Sequence, residues 1–110
     1  MIRSRNDVLQ GTLTLLVLKA LSNGPKHGYA ITQHLQRASN ELLRVEEGSL
    51  YPALHRMEQS KWVRSEWKLS ETNRRARFYS LTSAGASQLA EEQKYWENLT
   101  QAVRQVLKFA

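Results

Sequence analysis

The spacing of apolar residues changes at Trp62, and this change restricts the fold more than any other feature of the chain. Before Trp62, apolar residues recur every three or four positions, which predicts amphipathic helices over about residues 8–22 and 27–38 and a third helix in the run from Gly48 to Glu58. After it, apolar and polar residues alternate, as in a β-strand with one covered face. A mainly α-helical chain with one small β-hairpin is therefore expected.

Each of the three helices is expected to bury one apolar stripe. The expected core residues are Leu9, Leu13, Leu16, Val17, Ala20 and Leu21 in the first helix, Ile31 and Leu35 in the second with Tyr29 as a further candidate, and Leu50, Leu54 and Met57 in the third. A chain of 110 residues has room for one modest core, which excludes two full domains.

The start of the third helix carries its own signals. Ser49 is a good N-cap, and Pro52 then falls in the first turn, where its missing N–H has no partner to lose. Because the apolar stripe faces inward, polar and aromatic side chains remain on the outer surface of this helix. They are Ser49, Tyr51, Pro52, His55 and Arg56.

Residues 63–81 are predicted to form the β-hairpin, with Asn73 in the left-handed conformation of its turn. Trp62 and Trp67 are expected to anchor the hairpin on the helices. The chain has a formal net charge of +6, and residues 61–77 contain six Lys or Arg against two acids. This concentration favours a surface that binds anions, although a solvated loop has the same composition.

Thr82 or Ser83 is expected to cap a last helix that runs from about residue 84 to 107 without a proline. About 24 residues of helix extend about 36 Å, so part of it protrudes from so small a domain. Apolar residues form a seam along this helix: Leu89, Trp96, Leu99, Val103 and Val106. The seam predicts a homodimer, and the alternative is that it folds back on its own domain.

No pattern typical of catalysis or metal binding is found. The chain lacks cysteine, and His27, His34 and His55 do not have the spacing of paired ligands on a helix. The longest apolar run, residues 13–21, is too short to cross a membrane, and residues 1–7 lead into no signal-peptide pattern. A cytoplasmic binding protein without a cofactor is therefore expected rather than an enzyme.

Three helices, a basic hairpin and a long helix are the order of a winged helix-turn-helix domain, here residues 1–82, followed by a dimerisation helix, residues 83–110. In such domains the third helix enters the DNA major groove and the hairpin reaches the flanking backbone or the minor groove. The expected partner is double-stranded DNA with a pseudo-palindromic operator. Two other functions stay open: a winged-helix protein-interaction module that binds acidic surfaces, and a sequence-tolerant nucleic-acid binder.

Three strings of residues resemble the PadR-like family of transcriptional regulators: His27-Gly28-Tyr29, the run from Gly48 to Glu58, and the run from Arg74 to Thr82 with Gly85. The resemblance covers about residues 9–86. It implies a bacterial protein that folds as a winged helix with a C-terminal dimerisation region and acts mainly by repressing promoters. The single C-terminal helix resembles the smaller of the two size classes of the family. The chain departs from the family at Lys61 and Asn73, where glycine is common.

Roles in DNA binding follow as hypotheses. Ser49 offers its hydroxyl and neighbouring backbone N–H groups to a phosphate, and Tyr51, His55 and Arg56, beside Pro52, are candidate groove readers. The candidate phosphate or minor-groove ligands on the hairpin are Lys68, Arg74, Arg75 and Arg77. As alternatives, Tyr51 supports the hairpin as a partly buried ring, His55 is simply solvent-exposed, and one of the three arginines pairs with Glu66 or Glu71.

In some relatives, a tryptophan on the last helix stacks on planar aromatic effectors between the two protomers. The resemblance extends this role to Trp96, which would then bind a small aromatic effector that releases the DNA. Packing of Trp96 in the core of the dimer is the commoner explanation.

Overall fold

The computed structural model describes residues 5–109, with side chains described for residues 11–109. The described residues form four helices and three strands, and the helices and the hairpin follow the predicted order. They are α1 (Arg5–Leu21), β1 (Lys26–His27), α2 (Gly28–Ala38), α3 (Glu47–Gln59), β2 (Val63–Leu69), β3 (Arg75–Leu81) and α4 (Ser83–Phe109). The architecture is therefore mainly helical with a small antiparallel sheet, as expected.

The core lies between α1, α2 and α3 and is closed by the base of the hairpin. The predicted residues on α1 from Leu13 onward are buried or partly buried, and the side chain of Leu9 lies outside the described ones. The predicted residues Ile31, Leu35, Leu50, Leu54 and Met57 are all buried. Tyr29 was the wrong candidate, because it lies on the outer face of α2 with 57% of its surface exposed.

The third helix begins earlier than its side-chain signals indicate. Its N-cap is Glu46, and the backbone N–H groups of Ser49 and Leu50 both donate to the Glu46 carbonyl, at 3.0 and 3.1 Å. Ser49 is thus the third helical residue, and Pro52 lies in the second turn, so both predicted positions were wrong. A side-chain cap is worth about 1 kcal/mol, less than the roughly 2 kcal/mol gained by burying one leucine, so the packing of Leu50 and Leu54 outweighs the local signal.

The sheet has the strand order β1-β3-β2, with both pairs antiparallel. In the hairpin, Val63 pairs with Leu81 and Leu69 with Arg75, and Asn73 has the predicted left-handed conformation with φ 61°. The short strand β1 was not predicted, because two residues contain no periodicity.

Only the base of the hairpin reaches the core. Val63 and Tyr79 are buried, and Trp62 packs against the core residues. Trp67 is 56% exposed, so the prediction that it anchors the hairpin was wrong. The reason is geometric. The strands extend beyond the helices, so the residues of β2 after Ser65 are exposed on both faces of the hairpin.

Both positions that lack the family's glycine adopt a left-handed backbone. Lys61 has φ 65° and Asn73 has φ 61°. Asparagine tolerates this region well, whereas for lysine it is less favourable by about 1 kcal/mol. Around Lys61 the chain is held in place, because the Thr82 hydroxyl donates to the Lys61 carbonyl at 2.6 Å.

The last helix begins at Ser83 with Thr82 before it. The Thr82 Oγ1 accepts a hydrogen bond from the Gly85 N–H at 3.0 Å, which selects Thr82 from the two predicted caps. A helix of 27 residues spans about 40 Å, and the molecule measures 55 × 28 × 25 Å, so α4 protrudes as predicted. None of the helices in the described residues is long and apolar enough to cross a membrane.

Candidate nucleic-acid interface

The outer face of α3 is polar and accessible. Its inward residues Leu50, Ala53, Leu54 and Met57 are all buried. The predicted outer residues are all exposed, namely Ser49, Tyr51, Pro52, His55 and Arg56. The helical spacing of apolar residues therefore predicted correctly which residues of α3 are buried and which are exposed, although the predicted first residue of the helix was wrong.

Tyr51 joins α3 to the start of α2. Gly28 is buried there, and a Cβ atom at residue 28 would lie 2.5 Å from the Tyr51 Oη. The ring is 45% exposed, so one edge remains open to solvent. Burial raises the pKa of the Tyr51 hydroxyl above its ordinary value of 10.0, and the nearby Glu47 carboxylate raises it further. Tyr51 therefore stays protonated at neutral pH and can donate a hydrogen bond to an acceptor such as a phosphate oxygen.

His27 fixes the start of α2 against the hairpin. Its Nδ1 accepts a hydrogen bond from the Ala30 N–H at 3.2 Å, and its ring meets that of Phe78 edge-on at 5.1 Å. The sequence analysis placed His27 inside the predicted second helix and in a string that resembles the PadR-like family, and it missed the role of His27 as an N-cap. Histidine is not among the usual N-cap residues, so the sequence carries little signal for this role.

Arg77 is tied to α3. Its Nη2 lies 3.3 Å from the Glu58 Oε2, and its Nε donates to the Ser65 Oγ at 2.7 Å. The Ser65 hydroxyl in turn donates to Glu58 at 2.8 Å. One of the three arginines is thus paired, as the alternative held, but the partner is Glu58 on α3 and not Glu66 or Glu71. This partner could not be predicted, because 19 residues separate the two in the chain.

Among the residues that the structure describes, the two arginines next to the hairpin turn have no acidic partner. Lys68 pairs with Glu66 at 3.1 Å, but no ion pair among the described residues includes Arg74 or Arg75. The Arg75 guanidinium lies 5.5 Å from the centre of the Trp67 ring, which orients it without neutralising it. The excess positive charge of the hairpin is therefore concentrated at its tip.

A row of polar side chains on α2 was missed by sequence reasoning. The Gln33 Nε2 donates to the Tyr29 Oη at 2.7 Å, and the Arg37 Nη2 donates to the Gln33 Oε1 at 3.0 Å. These residues are four positions apart, a spacing that places side chains together on one helix face and would have revealed the row. No acid pairs with Arg37 among the described residues.

The predicted seam on α4 divides into two parts. Leu89 is buried against the core of its own chain, which corresponds to the alternative that the seam folds back on its own domain. It lies near enough to the start of α4 to pack in the domain. The other four residues are between 41% and 68% exposed: Trp96, Leu99, Val103 and Val106.

Residues 17–91 match the model of a family described as the transcriptional regulator PadR-like family. A transcriptional regulator from Mycobacterium tuberculosis is 33% identical over 94 residues, which cover 86% of this chain and 84% of that protein.

Solved structures give the same result. A transcriptional regulator from Clostridium thermocellum superimposes with a TM-score of 0.81 at 26% identity, covering 90% of this chain and 96% of that one. A PadR-like transcriptional regulator from Bacillus cereus superimposes with a TM-score of 0.77 at 29% identity, covering 92% of this chain and 96% of that one. Because the uncovered part of the chain is shorter than the 27 residues of α4, the similarity includes at least part of this helix.

Proposed function

The chain belongs to the PadR-like family of transcriptional regulators, and from this membership we propose that it is a homodimeric repressor that binds a specific sequence in double-stranded DNA. The family consists of regulators and not of enzymes. One observation supports the proposal: the outer face of α3 is polar and exposed, and the arginines at the hairpin tip have no acidic partner among the described residues.

In the proposed complex, α3 lies in the major groove. Tyr51, His55 and Arg56 read base edges, and Arg56 pairs with guanine where its side chain reaches the base. Pro52 packs beside them. The Ser49 N–H is already bonded to Glu46, so Ser49 contributes its hydroxyl to a phosphate.

The hairpin binds the backbone beside that groove. Arg74 and Arg75 are unpaired in the described structure and contact phosphates or enter the minor groove. Lys68 on β2 is a further candidate phosphate ligand, which would exchange its pairing with Glu66 for a phosphate. Arg77 has a different role, because its bonds to Glu58 and Ser65 set the angle between the hairpin and α3.

A second copy of the chain covers the exposed apolar face of α4. Trp96, Leu99, Val103 and Val106 then form the core of a two-fold interface. The operator is consequently pseudo-palindromic, with half-sites about one helical turn or a multiple apart. If each protomer neutralises three or four phosphates, log K falls with log salt concentration with a slope of about −5 to −7.

The experiment is selection of bound fragments from a random DNA library, followed by binding assays with two variants. Arg75→Ala is expected to weaken binding to all sequences alike, because it removes a phosphate contact. Arg56→Ala is expected to change the preferred sequence. The opposite pattern would overturn the assignments. Binding that shows the expected salt dependence but no preferred DNA sequence would indicate a sequence-tolerant nucleic-acid binder. A lack of binding to any duplex would favour a protein-interaction module.

Trp96 also motivates a second candidate, release of the DNA by a planar aromatic effector. Its ring is 44% exposed on the α4 face that pairs with the second copy. Titration of planar aromatic compounds with tryptophan fluorescence as the readout tests this, with Trp96→Phe as the control. Quenching that disappears in Trp96→Phe supports an effector site, and its absence leaves packing in the dimer core as the role.

A further inference from the structure

Gly48 is a helical glycine that the fold of the single chain does not require. It is the second residue of α3 and is exposed, and a Cβ atom at this position would meet no atom of another part of the chain within 4 Å. Its φ is not positive, so its backbone conformation does not call for glycine either. By contrast, Gly24 has a φ of 134°, and Gly28 and Gly85 lie against atoms that a Cβ would overlap.

A glycine at this position weakens α3. Glycine loses more conformational freedom on folding than any other residue, and only proline is less favourable in a helix. No contact among the described residues offsets this loss at Gly48. A bound molecule that comes close to the backbone is a physical reason for the absence of a side chain, and the place of Gly48 on the helix indicates which molecule this is.

Gly48 lies in the middle of the outer face of α3. With about 100° between successive residues of a helix, Gly48, Pro52 and His55 form one row opposite the buried side of α3. The first two residues of this row have little bulk, whereas the longer side chains of Tyr51 and Arg56 stand on either side of it. The outer face is therefore shallow near the start of the helix and raised at its edges, a shape that can receive a base-pair edge.

The backbone at Gly48 also offers a hydrogen-bond acceptor. In a regular helix the carbonyl of residue 48 accepts from the N–H of residue 52, but residue 52 is a proline and has no N–H. The Gly48 carbonyl therefore lacks the donor that a helix normally supplies. In the major groove, the exocyclic amino groups of adenine and cytosine are donors that such a carbonyl can accept from.

We infer that Gly48 is the point at which α3 comes closest to the floor of the major groove, so that a base-pair edge packs directly against the helix backbone there. The inference rests on the proposed function, since it requires α3 to enter the groove of duplex DNA. It makes Gly48 a positioning residue. The missing side chain sets how deep α3 lies, and this depth decides whether Tyr51, His55 and Arg56 reach the bases.

The test compares Gly48→Ala with Gly11→Ala. Both variants add one methyl group to an exposed helical glycine whose Cβ would have no neighbour within 4 Å, but Gly11 lies on α1. Binding is measured to the selected operator and to an unrelated duplex of the same length. Thermal melts report the stability of each variant, and sedimentation reports its oligomeric state.

Both variants are expected to melt about 2–4 °C above the wild-type protein, because alanine favours a helix. Gly48→Ala is nevertheless expected to bind the operator about tenfold more weakly, because the methyl group holds α3 away from the bases. Its binding to the unrelated duplex depends on phosphate contacts and should change by less than about twofold. Gly48→Leu should weaken operator binding further, and Gly11→Ala should bind both duplexes as the wild-type protein does.

Operator binding by Gly48→Ala at wild-type strength would overturn the inference, as would an equal loss on both duplexes or an equal loss in Gly11→Ala. A lower melting temperature of Gly48→Ala would show that the fold itself requires the glycine, which also contradicts the inference. Failure of the wild-type protein to bind any duplex would instead overturn the proposed function.

Discussion

The contact between Gly28 and Tyr51 sets the position of α3 relative to α2 in the proposed DNA-binding surface. Only a residue without a Cβ leaves room for the end of the Tyr51 ring, which in turn bridges α3 and α2. The string His27-Gly28-Tyr29 thus has a structural explanation. His27 caps α2, Gly28 leaves room for the Tyr51 ring, and Tyr29 is exposed on the surface.

Gly28→Ala is expected to displace Tyr51 and to destabilise the fold by about 1–3 kcal/mol in chemical denaturation. The new Cβ would clash with the far end of the Tyr51 side chain, so adding the substitution Tyr51→Leu should restore much of the lost free energy of unfolding. The matched control is Gly11→Ala in α1, where nothing lies within 4 Å of the new Cβ and where alanine favours the helix. Equal effects of the two glycine substitutions would contradict this account.

Tyr79 makes stability depend on pH in the alkaline range. Burial raises the pKa of its hydroxyl above 10.0, with the Glu58 carboxylate acting in the same direction and Arg77 opposing it. The folded protein therefore binds this proton more tightly than the unfolded chain does. Its contribution is fully present below pH 10 and is lost as the pH rises through the folded-state pKa.

The free energy of unfolding is expected to fall more steeply above pH 10 in the wild-type protein than in Tyr79→Phe. Denaturant melts at a series of pH values measure the difference. Tyr95→Phe is the control, because Tyr95 is 64% exposed on α4. A pH dependence that is the same in wild-type protein and Tyr79→Phe would refute the assignment.

Among the elements, α4 is attached to the domain through backbone contacts at its first turn. The Trp62 carbonyl accepts a hydrogen bond at 3.0 Å from the Thr82 N–H, and the Thr82 hydroxyl is shared between the Lys61 carbonyl at 2.6 Å and the Trp62 carbonyl at 3.0 Å. A Cβ at residue 85 would overlap this carbonyl oxygen. The start of the helix can therefore approach β2 only where residue 85 is glycine.

Gly85→Ala is expected to destabilise the protein by about 2–3 kcal/mol in thermal or denaturant melts. The main obstacle here is backbone, so truncating the nearby side chain with Leu81→Ala should not rescue the variant, in contrast to the pair at residues 28 and 51. Rescue by Leu81→Ala would show that the side chain and not the carbonyl is the obstacle.

For the whole molecule, the decisive feature is the length of α4 beyond the domain. The face with Trp96, Leu99 and Val103 is between 41% and 47% exposed in the single chain. For a two-fold operator, the two α3 helices of the proposed dimer must lie on one side of the assembly.

Val103→Glu is expected to shift the protein to monomers in sedimentation at micromolar concentration and to weaken operator binding more than tenfold, because a charge without a partner would be buried in the seam. Gln101→Glu makes a similar charge change on the opposite side of α4 and should remain dimeric. A dimeric Val103→Glu would exclude this seam as the interface.

Local patterns were enough to predict the helices, the hairpin with Asn73 in its turn, and the exposed face of α3. Each of these depends on side-chain period or on turn chemistry within a few residues, which the chain order alone contains. The family resemblance rested on such strings and was confirmed by the match over residues 17–91.

The partners of Arg77 and Tyr51, the burial of Leu89 and the exposure of Trp67 had to come from the folded structure. Each depends on how far one element extends past another or on residues distant in the chain that meet in space, such as Glu58 and Arg77. The start of α3 at Glu47 belongs with them, because the burial of Leu50 and Leu54 outweighs a local cap worth about 1 kcal/mol.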